Sequence, residues 1–436
     1  MSTPNKNIYK IYIFQVLSVG INFAYSLIIV QQLGAFDYGE YSNFYNSIAF
    51  STLLLGLNLP SVIIFFSVNK KIEPGKLLFS ALLFTVSASI LLAFILSLSG
   101  QLNFSVHIFP GGSNRLLWIF LFCAMFLLIQ VNQLLQAFLN SQKQFVPIMI
   151  FALICNILSL LFWSFIVFKI IKIHIQSFNL IWGINITVNI LVCICGFYLI
   201  RKFISVRSFF NSITLSELKA VLGFTVIVYL CNTLQFLSYR LDVWFLNFYT
   251  GKSAGGIYSL ALSLSQLVLV FPNAVSAILI NYFEVEKKRY SIYVALNYAR
   301  ICLYGGIFTA LVLSMIYYFA IPFFYGDQFY KAFTISLMLL VAVIPFSLTI
   351  IIANLNAGIG FVRINLYATI FILVMVSVLD YCLIPTYGMV GAAFAKIIVS
   401  FLGLIFQIII GHKYYELPWK SMFFFPDFKR IFKVKL

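Results

Sequence analysis

A chain of 436 residues that is 63% hydrophobic and only 9% charged, with mean hydropathy +1.04, excludes a soluble globular protein, whose charged fraction is about a quarter. The formal charge of +17 would suggest nucleic acid as the partner of a soluble chain. In an apolar chain the Lys and Arg residues report topology instead, so the class is an all-α polytopic membrane protein with no nucleic-acid partner.

Apolar runs of about twenty residues, the length that crosses the hydrocarbon of a bilayer, predict twelve spans: 8–30, 42–66, 77–99, 115–139, 145–168, 178–200, 223–249, 255–282, 301–323, 332–356, 363–384 and 388–411. Lys6 and Lys10 ahead of the first run resemble a signal peptide. That run continues to Gln31-Gln32-Leu33-Gly34 with no small-x-small cleavage site, which predicts an uncleaved first span. The connections are short; the longest internal ones, 201–222 and 283–300, hold no more than about two helical turns each. There is no room for an extramembrane catalytic domain.

With twelve spans, 21 of the 28 basic residues fall on the side of both termini, five fall on the other side, and Arg240 and Lys396 lie inside spans. The positive-inside rule then puts both termini in the cytoplasm.

The chain also repeats itself. Gly34-x4-Gly39-x-Tyr41 after span one returns as Gly251-x4-Gly256-x-Tyr258 after span seven, at an offset of 217 for all three residues. The same shift lays Gln15 on Asn232, Ser18 on Gln235, Asn22 on Tyr239 and Tyr25 on Asp242. A weaker echo at offset 216 relates Ala137-x-Leu139-Asn140 to Ala353-x-Leu355-Asn356. Two six-helix bundles of like orientation are expected, residues 1–205 and 206–411, followed by a basic cytoplasmic tail, 412–436. Such doubling is the signature of a secondary transporter.

No catalytic constellation is visible, so an enzyme is not expected. His107, His174 and His412 stand at segment ends without carboxylate or serine companions. The seven cysteines lie in apolar segments at spacings that suit neither metal nor redox chemistry, and no cofactor or metal is implied. Gly251-Lys252-Ser253 resembles the tail of a phosphate-binding loop, but the opening glycine would have to stand where Leu246 does.

Four ionisable residues lie inside spans: Arg240, Asp242, Asp380 and Lys396. Each costs about 2.5 to 3.5 kcal/mol at mid-membrane on insertion scales, so each needs a partner or a wet cavity. Arg240 and Asp242 stand about 200° apart on a helix and face different ways. Asp242 with Lys396, or Arg240 with Asp380, would satisfy them as helix pins; charge lining a substrate path is the functional reading, and both can hold at once. Polar stripes recur with Gln15, Asn22, Gln130, Gln133, Asn232 and Gln235 among their members. Small polar residues glue membrane helices together, while amides in such number also suit sugar hydroxyls.

The turns carry a resemblance. Leu33-Gly34-Ala-Phe-Asp37-Tyr38-Gly39-Glu-Tyr41, Arg240-x-Asp242 with Gly255-Gly256-Ile-Tyr258, Phe324-Tyr325-Gly326-Asp-Gln-Phe329 and Leu383-Ile-Pro385-Thr-Tyr387-Gly388-Met-Val-Gly391-Ala392-Ala393 are similar to the polysaccharide-transporter branch of the multidrug/oligosaccharidyl-lipid/polysaccharide exporter superfamily, over residues 8–411. Within it the length and twelve spans most resemble O-antigen flippases. The resemblance implies two bundles in a V that move an undecaprenyl-pyrophosphate-linked oligosaccharide, for lipopolysaccharide biosynthesis, from the cytoplasmic to the periplasmic leaflet of the bacterial inner membrane. Membrane lipids, a proton or sodium ion and the polysaccharide polymerase machinery are the implied partners. Asp380 departs from the family, which often has Asn there. Arg240 and Lys396 are expected to attract pyrophosphate or acidic sugars, with Asp242 steering their charge or holding a proton. A multidrug/cation antiporter of the same superfamily is the alternative; it would want carboxylates in the core of the first repeat.

Overall fold

The computed structural model describes residues 4–68, 72–98, 115–142, 178–203, 214–273 and 288–424, with isolated residues between 150 and 161. Every regular element among the described residues is helical. The longer ones are α1 (Pro4–Leu55), α2 (Leu59–Val68), α3 (Pro74–Leu98), α4 (Arg115–Ser141), α5 (Phe178–Ile200), α6 (Leu215–Tyr249), α7 (Lys252–Ser265), α8 (Lys288–Ala320), α9 (Tyr330–Gly358) and α10 (Val362–Tyr415).

Among the described residues seven helices are long and apolar enough to cross a membrane, or eight if the bent pair Leu33–Leu55 and Leu59–Ser67 is taken as one span. The chain is therefore a multi-pass membrane protein. The expected span 145–168 lies largely outside the described residues, as do His107 and His174.

Two of the helices are longer than any single pass. Straight, the 54 residues of α10 would reach about 80 Å, more than twice a hydrocarbon core. They fold back at Gly388, which has φ 56° and ψ −132°. The rings of Phe371 and Phe406 stack at 4.6 Å, those of Phe361 and Tyr414 lie 6.2 Å apart, and a Cβ on Gly403 would stand 2.9 Å from Ile372 Cδ1. The residue numbers of these pairs add to 775–777, the register of an antiparallel hairpin. α10 thus supplies the two expected spans 363–384 and 388–411. α1, with 52 residues, is broken at Gly34, whose φ of 70° and ψ of −179° are open to glycine and strained for any other residue.

The α6–α7 turn repeats that geometry. Gly251 has φ 92° and ψ 168°, so the glycine of each repeat copy adopts the same conformation. Gly326, between α8 and α9, takes φ 76° and ψ 176°, and there Tyr318 meets Phe333 at 5.7 Å. Four of the motif glycines singled out in the sequence, Gly34, Gly251, Gly326 and Gly388, take positive φ at these breaks.

The chain divides into two compact units, Met1–Gln32 with Glu40–Phe236, and Leu33–Gly39 with Leu237–Leu436. The boundary falls inside α6, and the short turn Leu33–Gly39 belongs to the second unit although both its flanks belong to the first. The first unit has two apolar cores. One joins Phe66 of α2, Leu78 of α3, Leu134 and Phe138 of α4 and Ile200 of α5. The other joins Phe44 of α1, Leu92 of α3, Phe122 and Phe126 of α4 and Trp182 of α5. In the second unit Ala299 and Cys302 of α8, Ile351 and Leu355 of α9 and Leu404 of α10 close the core. Fully burying one such aliphatic side chain is worth about 1.5–3 kcal/mol in water; within lipid, close packing and polar contacts carry more of the association.

Polar contacts of that kind run through the first unit. Tyr25 Oη donates to Asn185 Oδ1 at 2.9 Å, Asn132 Nδ2 donates to Asn189 Oδ1 at 2.9 Å, and Cys193 Sγ donates to Asn132 Oδ1 at 3.1 Å. α1, α4 and α5 are joined by amides.

Candidate functional site

The second unit gathers the intramembrane charges. Asp242 on α6 is 1% exposed and forms an ion pair with Lys396 on the second arm of α10, Nζ to Oδ2 3.0 Å. The pairing follows from the two hairpins. Reversal at Gly251 sets Asp242 against Tyr258 of α7, whose hydroxyl donates to Oδ2 at 2.7 Å, while the Val243 amide donates to Oδ1 at 2.9 Å. Lys396 Nζ also reaches the carbonyls of Tyr239 at 3.3 Å and Ser238 at 3.4 Å. All three ammonium donors and both carboxylate oxygens are engaged, the condition under which a buried ion pair is tolerated.

Reversal at Gly388 sets Asp380 level with Lys396, eight residues either side of the turn. Asp380 is 1% exposed, Oδ2 has no hydrogen-bond partner among the described residues, and the carboxyl lies within electrostatic range of both Asp242 and Lys396. Lys396 thus faces two carboxylates, and Arg240 is the second cation of the cluster. Arg240 stands half-buried on a different face of α6 from Asp242 and makes no hydrogen bond or ion pair among the described residues. It lies within electrostatic range of Tyr38 and Tyr258, and Tyr38 is hydrogen bonded to Ser263 of α7.

Of the two pairings open in the sequence, Asp242 with Lys396 is formed. Arg240 with Asp380 is not formed among the described residues. Lys396 uses its donors within the protein, so Arg240 is the cation of the cluster with donors to offer.

No family model matches the chain, and no curated protein matches it in sequence. Solved structures do. The chain is similar to an inward-facing multidrug resistance MATE family transporter of the MOP superfamily, at 15% identity and TM-score 0.68, covering 92% of this chain and 94% of that one. It is similar to lipid II flippase MurJ in an inward closed conformation, at 15% identity and TM-score 0.72, covering 94% and 87%. An outward-facing MATE family transporter matches at 17% identity and TM-score 0.64, covering 94% and 96%. The fold is that of the MATE and MurJ exporters.

Within this exporter fold the sequence-derived polar residues separate. Gln130 of α4 is 1% exposed and its Nε2 donates to the Thr52 carbonyl, so it pins α4 to α1. Gln133 and Gln235 are exposed and Asn232 is half-buried. Gln15 and Asn22 lie on α1 with side chains outside the described residues. Two participants were not anticipated as chemistry: Tyr258, quoted only as a member of the repeat, and the Asn132–Asn189–Asn185 set. Tyr258 stands seven residues after Gly251 and Asp242 nine before it, so the turn brings the two near one level.

Proposed function

We propose that the chain is a flippase that carries an undecaprenyl-pyrophosphate-linked oligosaccharide, an O-antigen repeat unit, from the cytoplasmic to the periplasmic leaflet of the bacterial inner membrane, with both termini cytoplasmic. The observation that carries this reading is the scarcity of acid in the first half. Through residue 216 the acidic residues are Asp37, Glu40 and Glu73, all close to turns. A site for lipophilic cations would want aromatic faces and carboxylates within its helices; the helix interiors of the first half offer amides and hydroxyls, which suit sugar. Arg240 then serves as the cation that draws a pyrophosphate or acidic sugar through the polar path.

The reading of ion coupling is supported by Asp380. A buried carboxylate without its own cation is costly, and a proton or sodium ion taken up beside it removes that cost. The same buried carboxylate favours the second reading, a cation-coupled multidrug exporter. The two separate in a cell that encodes the protein: deletion should abolish long surface O-chains, with rescue by another flippase and not by a drug exporter. Unchanged O-chains in the deletion strain, with altered drug sensitivity, would establish the second reading instead.

A further inference from the structure

At the far end of the second unit, where α8 begins and α10 ends, the structure contains a cavity of about 570 Å³ bounded by Arg289, Tyr293 and Arg300 of α8, Tyr414 of α10, and Glu416 and Ser421 beyond it. It is separate from the charge cluster. Tyr414 lies eighteen residues along α10 from Lys396, about 27 Å at helical rise.

Arg300 is held in place before any ligand arrives. Its Nε donates to the Ser421 carbonyl at 2.5 Å and its Nη1 to Asn297 Oδ1 at 3.2 Å, which leaves Nη2 uncommitted among the described residues. Arg289 is exposed and makes no ion pair among the described residues. The tyrosine rings of Tyr293 and Tyr414 are exposed beside these guanidinium groups. One carboxylate, Glu416, also lines the cavity, at a backbone φ of 55° that ends α10. Two guanidinium groups against one carboxylate give the cavity a net positive charge.

We infer that this cavity binds the phosphate of an anionic membrane-lipid headgroup. The guanidinium fork matches phosphate oxygens in number and plane, and a pre-positioned arginine loses less freedom on binding. Tyrosines at the membrane surface are suited to the headgroup layer, where one side of the ring is apolar and the other wet. The inference rests on the part of the functional reading that puts the C-terminal end of α10 in the cytoplasm. There the anionic leaflet supplies such headgroups to basic pockets between helices.

The test uses the purified full-length protein in a neutral detergent, followed by thermal unfolding and native mass spectrometry. The ligands are phosphatidylglycerol, phosphatidylcholine and inorganic phosphate. Phosphatidylglycerol should raise the unfolding temperature saturably and remain bound in the gas phase, and phosphatidylcholine should do neither. R289Q should weaken the effect about tenfold, E416Q should strengthen it, and K331Q, on an exposed lysine of α9, should leave it unchanged. R300Q should abolish it if that variant folds; R289Q, at an exposed position, keeps the test decisive if it does not. Equal stabilisation by inorganic phosphate would keep the anion site and make its occupant soluble, overturning the lipid assignment. Binding unaffected by R289Q and E416Q would overturn the site altogether. Transport that survives the loss of the site would leave the flippase reading standing.

Discussion

Gly39 and Gly256 pack backbone against backbone, each leaving room for the carbonyl that stands four residues before the other. A Cβ on Gly39 would collide with the carbonyl of Lys252, and a Cβ on Gly256 would collide with the carbonyl of Ala35. Ala35 and Lys252 are separated by the same 217 residues as Gly39 and Gly256, so the contact is reciprocal, as in an isologous interface between two copies of one motif. G39A and G256A should each destabilise the protein by about 1–3 kcal/mol, as over-packing does. They should couple in the double variant. G20A, where nothing among the described residues lies within 4 Å of the added methyl, is the control and should be close to neutral in detergent melting.

Removing the ammonium that faces Asp242 strands a buried carboxylate. K396M should lower stability by about 3–5 kcal/mol, the cost of breaking one side of a buried pair. D242N with K396M should recover much of it, because both charges then leave together. Melting temperatures of the two variants in one detergent decide this, and additive losses would mean that the pair carries no special weight.

Asp380 sits beside the same ion pair with Oδ2 unpartnered among the described residues, so it contributes little to holding helices together. D380N should therefore fold at wild-type levels or slightly better, and lose the dependence of transport on the proton or sodium gradient. Flux measured in vesicles with and without each gradient distinguishes this from a structural role, in which protein level and flux would fall together.

Outside the membrane, Glu217 opens α6 as part of a capping box: Thr214 Oγ1 and the Thr214 amide donate to Glu217 Oε2, and Lys76 Nζ meets the same oxygen at 2.7 Å. The Lys76 hydrogen bond first, then those from Thr214, hold the carboxyl down at about 2, against an ordinary value of 4.5. A lowered acid stabilises the fold above its ordinary value and loses that contribution as pH falls toward the folded one. The stability gap between wild type and E217Q should be constant above pH 5, then close between about 4.5 and 2. The gap itself should be small, since the pair is open to solvent.

Much of this was legible in the residues. The glycine motifs at a constant offset, and the scarcity of charge inside spans, are properties of the sequence itself, and they led to the reversals and to the Asp242–Lys396 pairing. Asp380 was noted as an intramembrane acid, but its level with Lys396 depends on hairpin register. That register becomes readable only once Gly388 is known to be the point of reversal. The amide set Asn132, Asn185 and Asn189 was not legible, because Asn132 lies on a different face of α4 from the Gln130 and Gln133 stripe. Its partners come from α5, and which helix packs beside which is set by the tertiary fold rather than by local pattern. At α10 the length criterion separated two passes, 363–384 and 388–411, although hydrogen bonding runs on as one helix through the break at Gly388.

The turn Leu33–Gly39 has a consequence for biosynthesis. Its seat includes Gln328, whose Oε1 accepts from the Ala35 amide at 3.2 Å, and Phe329, whose ring meets Tyr38 at 6.4 Å. Those residues leave the ribosome nearly three hundred positions later, about 15–60 s at ordinary synthesis rates. Throughout that interval the first hairpin must wait in the bilayer with its tip undocked, and the nascent chain becomes native only when its last third arrives to receive a piece made at the outset.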